Sequence, residues 1–195
     1  MKTVHIFRIM TLIFFLTSAA YANEWKLDPD HSEVRFKIRH IHTTISGQFP
    51  DFQGEIFFNP EKLDKSRFDF TVKVDSVNTG NGKRDNHLRS KDFFDADSYP
   101  VMTFASSKII RKSENIYELH GDMTIRGVTR SIQIPVLFFP PKPHPFDKKK
   151  LVAGFESGFS LARLDYNVGN GKFLKMGVVG ENVDVELAME VSREK

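Results

Sequence analysis

Five stretches of this chain alternate apolar and polar residues, and a period of two restricts them to half-buried β-strands. Val34, Phe36, Ile38 and His40 alternate with Arg35, Lys37 and Arg39. Phe68, Phe70, Val72 and Val74 alternate with Asp69, Thr71, Lys73 and Asp75. Ile132, Ile134, Val136 and Phe138 follow, then Phe155, Ser157, Phe159 and Leu161, and last Val183 through Val191 at every second position. Further strands are expected at 24–28, 43–49, 52–58, 101–109 and 115–125, with Arg126-Gly127 as a tight hairpin turn. Helical spacing is confined to a short segment at 84–91, where Asp85 and Arg89 stand four apart and Arg84–Asp85 reads as a buried pair. Pro140 to Pro145 holds four prolines and reads as an extended surface loop unable to pair in a sheet.

About nine strands, each with one apolar face, must close into a barrel or stack as a sandwich, because no helices are available to cover an open sheet. About eight strands of roughly ten residues suit a barrel wide enough for one small ligand.

The first 22 residues set the expected compartment. Lys2 and Arg8 precede a short apolar run, and Ala20-Tyr21-Ala22 is a small-x-small signal-peptidase pattern. The run is far shorter than the ~20 residues of a membrane span, so cleavage after Ala22 and export are expected, with one domain from 23 to 195 and no integral span in the mature chain. Removing those residues lowers the formal charge from +3 to +1, which gives no electrostatic footprint for nucleic acid. The chain has no cysteine, so disulfides, thiolate metal sites and cysteine nucleophiles are excluded.

Four blocks then resemble the YceI-like family. Trp25 to His40 is similar to its opening. Ser46-Gly47-Gln48-Phe49 with Phe52-Gln53-Gly54 is similar to its second strand pair. Ser76 to Asn81, Arg84 to Ser90 and Asp92 to Asp95 resemble its central block, and Tyr99-Pro100, Phe104 and Gly121 to Thr129 the region after it. The blocks occur in order from 25 to about 130. The stretch Phe159 to Tyr166 matches less closely, with Leu164 and the Gly169-Asn170-Gly171-Lys172 loop departing from the pattern. The resemblance implies an all-β, antiparallel, lipocalin-like barrel with one or two short helices. It also implies a periplasmic activity of binding a polyisoprenoid chain, such as a prenyl-tailed quinone or a related lipid, with no other cofactor required.

An isoprenoid tail needs a dry apolar tunnel with a polar group near its mouth. The candidate lining is Val34, Phe36, Ile38, Phe49, Phe68, Phe70, Val72, Phe104, Ile132, Ile134, Phe155 and Phe159. The competing reading is that these side chains simply fill the barrel, leaving a periplasmic structural or protein-interaction module without ligand. His87 and Arg84 are the candidate head-group contacts. His31, His40 and His42 lack a carboxylate or cysteine at ligand spacing, so no metal is expected; His31 reads as a turn hydrogen-bonder and His40 as a strand end. Gly80-Asn81-Gly82-Lys83 and Gly169-Asn170-Gly171-Lys172 fail the phosphate-loop spacing and read as two turns at one rim. With no G-x-S-x-G or H-E-x-x-H pattern, catalysis has no support. The oligomeric state stays open, a homodimer included. An outer-membrane barrel would also alternate, but its lumen face would be densely charged and no aromatic girdles are evident.

Overall fold

The computed structural model describes residues 24–195, so the segment read as an export signal lies outside the described residues. Nine antiparallel strands form a single sheet. They are β1 (Glu24–His40), β2 (Thr43–Gln48), β3 (Phe52–Phe57), β4 (Arg67–Lys73), β5 (Val101–Arg111), β6 (Ile116–Ile125), β7 (Val128–Pro143), β8 (Lys150–Ala162) and β9 (Val179–Glu194). β1 pairs with β9, which closes an eight-stranded barrel from β1 and β3 to β9. β2 is the extra strand. It runs along the upper half of the same β1 edge whose lower end pairs with β3.

Alternation along each strand sends the apolar set inward. Trp25, Ile56, Phe68, Leu119, Val136 and Val191 are all buried in one contiguous core. The charged partners point outward, where Lys37 meets Glu186 at 2.5 Å and Arg67 meets Asp69 at 2.7 Å. An apolar interior with a charged exterior is the reverse of a lipid-facing barrel.

The Arg126-Gly127 turn has φ of 47° and 72°, the doubly positive conformation that two-residue hairpins require. A side chain on Gly127 would also meet the Tyr99 ring at 2.6 Å. β1 carries a bulge between Asp28 and Glu33, where its register against β9 shifts. Buried Ser32 closes that bulge by accepting from Glu190 N at 3.0 Å and donating to Glu190 O at 3.4 Å.

The proline-rich segment corrects the sequence expectation. β7 continues through Pro140 and Pro141 to Pro143, and Lys142 and Pro143 pair with Val152 and Leu151. Two features make this possible. The β6 ladder ends at Leu137, so beyond it β7 has only β8 as neighbour, and Pro140-Pro141 fall within a register shift between Phe139 and Lys142. Missing N–H groups cost nothing on an edge without a partner.

Two short helices sit at one end of the barrel. α1 (Gly82–Arg89) is started by Asn81, whose Oδ1 accepts from Arg84 N at 3.1 Å. α2 (Lys172–Lys175) follows the second Gly-Asn-Gly-Lys turn, in which Asn170 Oδ1 accepts from Lys172 N at 3.0 Å. Among the described residues no helix is long and apolar enough to cross a membrane.

Candidate functional site

One end of the barrel is sealed by aromatic rings. Phe58 stands at the centre, its ring centroid 4.9 Å from Phe138, 5.1 Å from Tyr117, 5.3 Å from Phe155 and 5.6 Å from Phe68. Trp25 Nε1 donates to Phe58 O at 3.1 Å and fixes the residue that carries the seal. Edge-to-face rings at such distances add to the area they bury.

Above the seal the barrel is hollow. A cavity of about 620 Å³ runs toward the α1 and α2 end, and the surface that faces it is almost wholly apolar. Small-molecule sites typically occupy about 300–1,000 Å³.

Glycines help keep the lumen open. Phe36 pairs with Gly47 and Phe70 with Gly54 across neighbouring strands. A Cβ on Gly47 would lie 2.3 Å from the Phe36 ring, one on Gly54 2.5 Å from the Phe70 ring, and one on Gly121 2.8 Å from the Phe104 ring. Each ring therefore lies against the wall, in space a side chain would otherwise take.

Eleven of the twelve expected lining residues face this cavity. The exception is Ile132. β7 pairs with β8 only from Leu137 to Pro143, and Ile132, above that ladder, packs partly buried against the core without facing the cavity. Sequence reasoning omitted Val183, Val185 and Leu187 of β9, which line it and whose alternation was the available signal. Phe173 on α2 and Phe93 after α1 also line it, stacked at 5.7 Å between centroids. No strand period reaches them.

Thr79, Asn81, Lys83, Arg84, His87 and His40 face the cavity at the helical end, while Arg35, Glu156 and Ser157 reach it from the barrel wall. Thr79 organises this rim. Its hydroxyl donates to Asp85 Oδ1 at 2.5 Å and accepts from Arg84 Nε at 2.7 Å, and its carbonyl accepts from Arg84 Nη2 at 2.8 Å. The expected direct Arg84–Asp85 pair is thus replaced by a bridge through Thr79. Buried Asp85 also accepts from Thr79 N at 2.9 Å, which helps satisfy its carboxylate away from water. The expected Asp85–Arg89 pair is absent as well: Arg89 donates to the carbonyls of Asp75 and Val77, at 2.7 and 2.9 Å, and to Asn86 Oδ1 at 3.0 Å. The bent chain at 74–78 offers those carbonyls nearer than the carboxylate, which Thr79 has already claimed. His87 Nε2 lies 3.1 Å from Asp92 Oδ2, with its ring edge-on to Phe93.

The other side of the rim is held by two arginines. Arg163 is buried and donates to Gly180 O at 2.7 Å and Val168 O at 2.8 Å, and burial lowers its pKa. Arg126 donates to Lys91 O at 2.7 Å and to Asn167 O, tying the loop after α1 to the turn at 163–167. In that turn the Tyr166 hydroxyl is buried without a hydrogen-bond partner, and burial raises its pKa.

His40 ends β1, and His31 bonds within the β1 bulge to Asp28 Oδ2 at 3.0 Å, as the sequence predicts for both. Glu190 Oε1 approaches His31 at 4.0 Å, so His31 does meet two carboxylates, one of them brought by β9. His31 is exposed and the two carboxylates are partly exposed, and none of the three lines the cavity.

The model of the YceI-like domain matches residues 25–191, nearly all of the described chain. The chain belongs to the YceI-like family. Protein YceI of Escherichia coli is 28% identical over 186 residues, covering 94% of each chain. Among solved structures, the YceI-like chain resembles BcnA of Burkholderia cenocepacia with a TM-score of 0.77 and 25% identity, covering 85% of this chain and 99% of that one. It also shares its fold, at 18% identity and a TM-score of 0.63, with a polyisoprenoid binding domain from Saccharophagus degradans implicated in plant cell wall breakdown; there the coverage is 86% of this chain and 97% of that one.

Proposed function

We propose that the protein is a periplasmic binding or carrier protein that holds a polyisoprenoid lipid, a prenyl-tailed quinone or related amphiphile, inside the barrel. The observation that carries this reading is the hollow itself, about 620 Å³ of apolar space above an aromatic floor. Each methylene buried there contributes about 0.8 kcal/mol, so a branched hydrocarbon tail is held without any hydrogen bond. The tail lies along the phenylalanine walls with its end toward Phe58. The head group sits at the rim, within reach of Arg84 and His87. A shared fold with a relative named for polyisoprenoid binding supports the same ligand class. The basic, short apolar leader ending in Ala20-Tyr21-Ala22 supports export and cleavage after Ala22. No step of chemistry is assigned: Arg84 is bound to Thr79, His87 to Asp92 and Arg163 to backbone carbonyls, and the lipid is the one small molecule this reading requires.

Native mass spectrometry of the protein isolated from the periplasm without detergent, followed by solvent extraction, tests this. The expected result is a discrete added mass identified as a prenyl-chain compound. A clean apo mass from fresh protein that also takes up no added prenyl quinone would overturn it.

A further inference from the structure

The β7–β8 hairpin extends past the aromatic seal, away from the helical rim, and its tip carries a residue the fold does not use. Phe146 is 94% exposed, and among the described residues its ring has one aromatic neighbour, the His144 imidazole, 6.2 Å away. The turn that presents it is well defined, with His144 Nδ1 accepting from Phe146 N at 3.1 Å and Asp147 N at 3.0 Å. Lys142, Lys148, Lys149 and Lys150 flank it in the chain against a single acid of the 140–150 tip, Asp147, which lies 3.6 Å from Lys150. The other three lysines make no ion pair among the described residues. The adjacent end of β9 brings two more cations, Arg193 and Lys195, with Glu194 across from Lys150. Apolar surface continues along the hairpin from Phe139 to Leu137 and across to Ile116, all substantially exposed.

We propose that this tip docks on the surface of an anionic lipid bilayer, with Phe146 entering the boundary between head groups and acyl chains and the lysines resting over lipid phosphates. One aromatic anchor flanked by long cations, three of the four lysines outside any ion pair among the described residues, suits a fluid surface of dispersed negative charge, where lysine stems lie along apolar material and ammonium groups stay wet. Tip and polar rim occupy opposite ends of the barrel, so a docked molecule keeps its rim turned away from that bilayer. The proposal stands apart from the ligand reading: an empty barrel would dock equally well.

Co-sedimentation of the isolated protein with phosphatidylglycerol–phosphatidylcholine vesicles, against vesicles of phosphatidylcholine alone, tests it. Binding is expected only to the anionic vesicles and should fall as salt rises from about 50 to about 500 mM. Phe146→Ser should weaken it about tenfold, and Lys148→Glu with Lys149→Glu should abolish it. These exposed positions leave the melting temperature unchanged, so a loss of binding is not a loss of fold. In Phe146→Trp the added indole should shift its emission to shorter wavelength on the anionic vesicles alone. Equal partition to both vesicle types, or unchanged binding by either variant, would overturn the proposal.

Discussion

Phe70 lies directly across the β3–β4 ladder from Gly54, and a methyl group on that glycine would fall 2.5 Å from the Phe70 ring. The ring occupies the space of the absent side chain and stays on the wall. Gly54→Leu should therefore push Phe70 into the lumen and shrink the cavity. The expected outcome is a loss of about tenfold or more in prenyl-quinone uptake, measured by quinone extraction, with the barrel still folded.

Gly121→Ala should behave differently. Its Cβ would meet the Ala105 carbonyl at 2.3 Å as well as the Phe104 ring, so backbone must move along with the side chain. A destabilisation of about 2 kcal/mol or more in urea is expected, exceeding that of Gly54→Ala.

Phe58→Ala removes the centre of the aromatic floor and leaves four rings facing a void. The cost should be about 3–5 kcal/mol by urea denaturation. An added apolar ligand should recover part of this loss by filling the enlarged cavity.

Thr79→Val keeps the shape at the rim and removes the hydroxyl that joins Arg84 to Asp85. Asp85 is left buried with one donor fewer, so a loss of about 1–3 kcal/mol is expected. Asp85→Asn in the same background should cost less than in the parent chain, because the two groups serve one network.

The hydrogen bond that His31 donates to the Asp28 carboxylate raises the pKa of His31, and that of Asp28 is lowered chiefly by the same bond. The stabilising effect of His31 is fully present below its ordinary value and is lost as pH rises through the raised one. That of Asp28 is present above the ordinary carboxylate range and is lost as pH falls through its lowered value. The pair thus acts between those two limits. An NMR titration should place His31 above the ordinary histidine value, and Asp28→Asn should bring it down.

Much of the fold was legible because alternation is a local property. Val34, Phe36 and Ile38 had to share a face whatever the rest of the chain did, and the Arg126-Gly127 turn announced its own geometry. The prolines at 140–143 misled because a missing N–H matters only where a neighbouring strand would use it, and the end of β6 lies elsewhere in the sequence. At the rim, Asp85 and Arg89 had the right spacing for a helical pair, but Thr79 and the carbonyls of 75 and 77 competed successfully.

The sequence by itself determined which side chains point inward, since parity along a strand follows from the backbone alone. Whether those side chains fill the barrel or line a hollow was decided by tertiary structure. Phe68 lines the cavity and also joins the seal, whereas Phe70, two residues on, folds flat over a glycine that only cross-strand register places beneath it. Volume is a sum over neighbours from distant parts of the chain, and no local pattern encodes it.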